Sequence, residues 1–436
     1  MFKKILALVL CGLMTFGLAG CAFLENLPFG KTDGSSADSD TEAPSDSSEG
    51  TESETAAKTE APTTAEKEPP KEPPVEKVST TTKLSSNTLG IKLLGERFIY
   101  SETQINCDWT CSGIEFVLNS IGGDLTVEAG SAKPCYFRVF VDGYEWVSKK
   151  GSDYYEVKGD TRFVVPAIPA GEHTVRIVKV TGHTLATAQL YSLTYYGTIS
   201  ETAPADQELY IEYLGDSISC GWGVVGAHDG SYSAQDGALA YPYLLSQKLN
   251  ADYCVTALSG QGVLFHGAPN VNMTTGYLLT SPNRDGAVTY DFARKADVVV
   301  INMGTNDYSN RNKGDGITEA QFADAYKALI QTVREKNGAD CKILCLYNTM
   351  NDTFANAILS VCNELGGQKA GIYSHEMTRT ASGHPTVKEN EAYVTALEAV
   401  MNHILNGVVA GEKELNTEAS GDGLSVGFGD FKPWEG

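Results

Sequence analysis

The feature that most constrains this chain is a change of apolar rhythm near residue 200. Ahead of it, over residues 85–200, short alternating apolar segments at 114–118, 125–127, 136–141, 162–165, 173–178 and 188–191 have strand composition and are separated by turn signals. Asp142-Gly143, between two of them, reads as a tight turn. No helical period lasts longer than a turn, so this stretch reads as an all-β sandwich. Beyond a polar bridge at 199–204, apolar runs at 211–214, 253–255, 298–300 and 342–347 alternate with helical patterns, and 370–373 reads as a last strand. That alternation implies a parallel sheet covered by helices. Thr318-Glu319-Ala320-Gln321 and Thr386-Val387-Lys388-Glu389 each have the form of a capping box. Phe322, Tyr326, Leu329, Ile330 and Val333 follow the first box at helical spacing; Val394, Leu397, Met401 and Ile404 follow the second. Stretches of about 115 and 200 residues are each long enough to build a core.

Four polar motifs follow the apolar runs of the second stretch. The first, Gly215-Asp216-Ser217-Ile218-Ser219-Cys220-Gly221-Trp222-Gly223, puts Ser217 in the turn at the exit of a strand, among glycines that let a substrate approach backbone N–H groups. Leu258-Ser259-Gly260-Gln261-Gly262 and Gly304-Thr305-Asn306-Asp307 follow the next two runs. Ser382-Gly383-His384-Pro385 precedes the final helical pattern. Strand ends and helix starts are where open α/β sheets gather their ligand sites.

On these residues the chain resembles the SGNH, or GDSL-type, hydrolases, serine esterases on a flavodoxin-like α/β fold. The longer first block, with a β-sandwich in front, resembles carbohydrate esterase family 2 in particular, over roughly residues 85–407. The resemblance implies a jelly-roll sandwich over 85–200, a hydrolase domain over 205–410, Ser217 as nucleophile and His384 as base. It implies oxyanion donors in the backbone N–H groups of Ser217 and Gly260 and the side-chain amide of Asn306. Asp216 and Asp307 are expected to bond loop backbone. Trp222 is a candidate for contact with substrate. The activity implied is removal of O-acetyl groups from a polysaccharide or oligosaccharide, without metal or cofactor. Deacetylation of the cell's own wall polymer, and a non-catalytic glycan-binding lipoprotein, are the alternatives.

One position departs from the pattern. Most such enzymes carry an aspartate two or three residues before the histidine, where this chain has Ser382 and Ala381. A third member from elsewhere, or a backbone carbonyl holding the ring of His384 in a Ser-His dyad, would fill that role. The dyad is the arrangement expected here.

The flanking segments bear on location. Lys3 and Lys4, an apolar run at 5–18 and then Leu18-Ala19-Gly20-Cys21 have the form of a signal peptide, 1–21, ending in a bacterial lipoprotein box with lipid on Cys21. Residues 22–84 read as an acidic, Ser/Thr/Pro-rich disordered tether, because almost no large apolar side chains are present from 31 onward to offset chain entropy. The protein is therefore expected outside the cytoplasm, anchored to a bacterial membrane. Residues 31–84 hold 13 acidic and 6 basic residues, a net of −7 of the chain's −22, so the rest is acidic too. Such a surface argues against nucleic acid and is compatible with a neutral substrate. The tail, 411–436, has no period.

Beyond Cys11 and Cys21 there are eight cysteines, which permits disulfides in an exported protein. Cys341 and Cys345, four residues apart on one strand, are too far apart to bond each other. Neither they nor Cys107 and Cys111 have a second Cys/His pair at zinc spacing. Buried thiols are the expectation for most. Trp109, Tyr144 and Trp146 suit either a sugar-stacking platform or, as expected, a buried aromatic cluster.

Overall fold

Two sheets divide the chain at the bridge expected from the sequence. A computed structural model describes residues 76–406, apart from 149–152, 227–230, 268–270, 283–287 and 315. Cys21, nearly all of the tether and the tail lie outside the described residues.

The first sheet is antiparallel. Its strands are β1 (Thr80–Lys83), β2 (Lys92–Leu94), β3 (Ile105–Cys107), β4 (Gly113–Val141), β5 (Tyr144–Glu145), β6 (Tyr155–Lys179), β7 (Ala188–Tyr195) and β8 (Gly197–Ile199). Sequence reading broke β4 into three strands and β6 into two, but each is one continuous ladder. The turn residues mark bends instead: Gly122 and Gly123, both at positive φ, and the register shifts after Gly123 and Ser131 let β4 change direction without leaving the sheet. Both arms of β4 consequently flank the same part of β6, with Ile114 and Val139 each opposite Ile177. Asp142 and Gly143, at φ 54° and 82°, make the tight turn from β4 to β5. Phe116, Phe137, Val139, Ile177 and Leu190 form this part's core.

The second sheet is parallel, in the order β10-β9-β11-β12-β13, from β9 (Tyr210–Gly215), β10 (Asp252–Ala257), β11 (Val298–Asn302), β12 (Lys342–Tyr347) and β13 (Ile372–Glu376). Counted from β9 this is the 2-1-3-4-5 order of flavodoxin-like sheets, whose strand order reverses between β9 and β11. Helices α1 (Tyr241–Lys248), α2 (Met273–Gly276), α3 (Thr305–Asn310), α4 (Glu319–Asn337), α5 (Ala355–Glu364) and α6 (Val387–Asn406) complete it. Ile211 and Tyr213 of β9 pack with α1 and α6, while Tyr210 and Leu214 pack with α4 and α5. This is the alternation that a strand covered on both faces requires. Both capping boxes form: Gln321 accepts from the Thr318 N–H at 2.9 Å, and Glu389 from the Thr386 N–H at 2.8 Å. The five residues expected on α4 are all buried, Phe322, Leu329, Ile330 and Val333 each contributing about 1.5–3 kcal/mol.

The antiparallel and parallel parts form one compact unit with shared polar and apolar contacts. Arg97, in the turn after β2, enters the α/β part and donates from Nη2 and Nε to Glu212 Oε1 at 2.7 and 3.1 Å. Its Nη1 donates to the carbonyls of Tyr277 and Leu279, and its guanidinium lies 4.1 Å from the Tyr290 ring centroid. Arg138 of β4 donates to Asp236 at 2.6 Å. Trp109 is buried with Nε1 donating to the carbonyl of Thr280; Trp146 is buried too, and only Tyr144 is exposed. No aromatic platform assembles from these three. The eight cysteines among the described residues are all buried free thiols.

Candidate active site

Strand register brings the motifs together. Gly215 lies opposite Ala257 of β10 on one side and Asn302 of β11 on the other, so the three strands end at one level. Ser217, Gly260 and Asn306 follow that level by two, three and four residues. They therefore cluster outside the carboxyl ends of the strands, beside the reversal in strand order.

The last piece comes from the loop between β13 and α6. Ala381 N–H donates to Glu389 Oε1, Thr380 Oγ1 donates to the carbonyl of Gly383 and Tyr393 Oη donates to that of Thr378. So held, the loop brings His384 Nε2 to 2.7 Å from Ser217 Oγ, the contact that a serine nucleophile and its base would need. Ser217 is only 6% exposed. The half-buried Trp222 has its ring centroid 6.3 Å from that of His384.

The expected oxyanion donors lie on the loops that follow the ends of β9, β10 and β11. Among the described residues, neither the Ser217 nor the Gly260 N–H donates to another group. Gly260 has φ 81°, and the space where a side chain would stand is empty. Asn306 Nδ2 donates to the Gln261 carbonyl at 2.8 Å and to Asp216 Oδ2 at 3.1 Å, tying together the loops after β9, β10 and β11. The two aspartates bond loop backbone as expected. Asp307 accepts from the N–H groups of Val263, Leu264 and Phe265 at 2.8–2.9 Å. Gly262 makes room for it: a Cβ there would meet Asp307 Oδ2 at 2.4 Å. Asp216 Oδ1 accepts from Ile218 N–H at 2.9 Å. Burial pushes the Asp216 carboxyl up to about 7, with Asp307 adding to the rise and the Ile218 N–H opposing it. Burial raises Asp307 as well, against its three backbone donors. The link from Asp216 to Asn306 was not anticipated; nothing in residue spacing signals it.

A cavity of about 720 Å³ lies elsewhere, lined by Lys92, Glu96, Asp206 and Arg294. Its charges are matched within the protein, Lys92 to Asp252 at 2.7 Å and Arg294 to Glu96 at 2.9 Å. The candidate site is thus identified by its chemistry and not by its concavity. No group of three His, Cys, Asp or Glu residues suited to a metal occurs among the described residues.

Residues 213–408 match the GDSL-like Lipase/Acylhydrolase family, so the chain carries a GDSL/SGNH hydrolase domain. The chain is 28% identical over 335 residues to the cellulase/esterase CelE of Acetivibrio thermocellus, spanning 72% of this chain and 39% of that protein. It is 24% identical over 223 residues to an acetylxylan esterase / glucomannan deacetylase of Cellvibrio japonicus, across 48% of this chain and 62% of that one. It thus spans about two-fifths to three-fifths of the length of these relatives. A family two carbohydrate esterase from Clostridium thermocellum, solved in complex with cellohexaose, superposes with a TM-score of 0.64 at 27% identity, covering 73% of this chain and 99% of that one. These two relatives and this structural neighbour are all named as esterases.

Proposed function

We propose that this protein is an exported, lipid-anchored carbohydrate O-acetylesterase working through a Ser217–His384 dyad. The observation that carries the reading is the 2.7 Å Ser217–His384 hydrogen bond beside the reversal in strand order. Ser217 Oγ attacks the acetyl carbonyl while His384 Nε2 takes its proton. The negative charge that builds on the carbonyl oxygen meets the N–H groups of Ser217 and Gly260 and the amide of Asn306. His384 returns the proton to the departing sugar hydroxyl, leaving acetyl-Ser217. Water, with His384 again as base, then releases acetate and restores the serine.

The sugar part of the reading draws on relatives that are acetylxylan esterases and on a neighbour bound to cellohexaose. The Trp222 ring beside His384 offers a face for a pyranose. Export and anchoring draw on the sequence that ends at Cys21.

Acetate release from acetylated xylo- and manno-oligosaccharides and from 4-nitrophenyl acetate tests the reading, with 4-nitrophenyl octanoate as control. The acetyl substrates are expected to be turned over well and the octanoate poorly. Ser217→Ala should lower kcat about 10⁶-fold while shifting unfolding stability by no more than about 0.5 kcal/mol. Comparable rates on octanoate would overturn the substrate class, and an active Ser217→Ala would overturn the nucleophile.

A further inference from the structure

We propose that Asp216 is a positioning residue that acts through Asn306, its carboxylate fixing the amide that faces the developing oxyanion. The proposal rests on the esterase reading above and adds a residue to it.

An asparagine side chain has nearly the same shape either way round, so its neighbours decide whether its NH₂ or its C=O faces a site. Two acceptors decide it here: Asp216 Oδ2 at 3.1 Å and the Gln261 carbonyl at 2.8 Å both require N–H from Asn306. These acceptors belong to the residues next to Ser217 and Gly260, so fixing the amide against them sets it beside the two free N–H groups. The longer bond, to Asp216, is the one the oxyanion shares as charge builds, in a three-centre arrangement.

A loop-bracing role explains only half of Asp216. Its Oδ1 braces the turn through Ile218 N–H, whereas Oδ2 has its bond to Asn306. The side chain is fully buried, so solvent does not compete for that oxygen. No ion pair to Asp216 occurs among the described residues; Asp307 raises its pKa by charge repulsion, and its own charge raises those of Cys220 and Tyr241. Neutral donors alone hold the carboxylate, and burial raises its pKa accordingly.

A double-mutant cycle tests the proposal. Ile218 N–H and Asn306 Nδ2 donate to different oxygens of Asp216, and Asp216→Asn puts an NH₂ donor in place of one of them, so it cannot accept at both positions. With 4-nitrophenyl acetate, Asp216→Asn should lower kcat about 10- to 100-fold with KM within about twofold, and Asn306→Ala about 10²–10³-fold. Added to Asn306→Ala, Asp216→Asn should cost less than a further twofold, because its effect runs through the missing amide. Its effect on unfolding should persist in both backgrounds. Multiplying losses in kcat would overturn the proposal.

A second readout covers variants too unstable for kinetics. Asn306→Asp sets two carboxylates face to face and should lower the unfolding temperature at pH 8. The exchange Asp216→Asn/Asn306→Asp restores an amide–carboxylate pair with the donor reversed, and should recover the part of that temperature lost to the facing carboxylates, the Gln261 carbonyl being without its donor in both variants, without recovering kcat. No recovery would show that the contact does not exist. If the native protein hydrolyses no ester, the esterase reading fails by itself, while the exchange still tests the contact.

Discussion

Two carboxylates four residues apart show how differently one strand is used at its middle and at its end. Glu212, in the middle of β9, and Asp216, in the turn beyond it, are 1% and 0% exposed. Glu212 faces the buried guanidinium of Arg97 and also accepts from Thr256 Oγ1 and Tyr277 Oη, both at 3.2 Å. Burial opposes the charge on Arg97, but Glu212 beside it more than offsets this and raises its pKa. Asp216 has only neutral donors, and its carboxyl rises to about 7. At the middle of the strand every charge is compensated and the site is closed. At its end two N–H groups are left open and a carboxylate is left without a cation, an arrangement worth its cost only where something is to be bound or reacted.

The strongest way to break this contrast is to treat Glu212 as Asp216 is treated. Arg97→Met removes the cation and strands the carboxylate in the core, which typically costs about 3–5 kcal/mol. Because Arg97 comes from the antiparallel part, the loss should appear as cooperative unfolding of both parts at lower urea, with kcat unchanged while the chain is folded. Replacing the pair together, Arg97→Met with Glu212→Leu, should recover most of it, since apolar groups of similar size need no compensation. Independent melting of the two parts would instead mean that the seam is dispensable.

A smaller effect separates the two acids by pH. A carboxyl whose folded pKa is raised holds its proton where the unfolded chain has lost it, so its contribution to stability falls as pH rises. For Asp216 the fall should begin near 4, the ordinary aspartate range, and end near the folded value of about 7. Between pH 5 and 8 that amounts to roughly 2–3 kcal/mol. Asp216→Asn removes the titration, so the difference in stability between variant and native protein should move in the variant's favour across that interval, whatever its constant offset. A difference independent of pH would mean that Asp216 is ionised throughout.

Much of this was legible in the sequence because it is carried by local patterns. The strand–helix alternation implied a parallel sheet covered by helices, the resemblance to GDSL-type hydrolases implied its flavodoxin-like order, the capping boxes located α4 and α6, and the four polar motifs lay at strand ends that register then aligned. Bends in β4 and β6 were misread as strand ends, since glycines such as Gly122 and Gly123 interrupt composition whether or not the ladder continues. The Arg97–Glu212 pair was missed, though a signal was present: an acid within the apolar run 211–214 needs a buried cation. Which cation could not be read, because the two are 115 residues apart and nothing local joins them.

The mildest prediction concerns the acid absent from before His384. Glu376 and Glu389 are the first carboxylates met on either side of it along β13, the loop and α6, and each has a visible occupation. Glu389 Oε1 accepts from Ala381 N–H and Oε2 from the Thr386 N–H and hydroxyl, while Glu376 Oε1 accepts from Asn348 Nδ2. Glutamine serves the third helical position of a capping box as well as glutamate does, so Glu389→Gln removes the charge and keeps the cap while giving up the bond from Ala381 N–H. If His384 works in a dyad, Glu389→Gln and Glu376→Gln should each lower kcat less than tenfold, about 1.4 kcal/mol at most, without moving the pH at which activity rises. A triad aspartate, by contrast, costs about 10⁴-fold when its charge is removed. A loss of that size in either well-folded variant would make that glutamate the third member and end the dyad; the comparison with Asp216 would then turn on two acids beside the site instead of one.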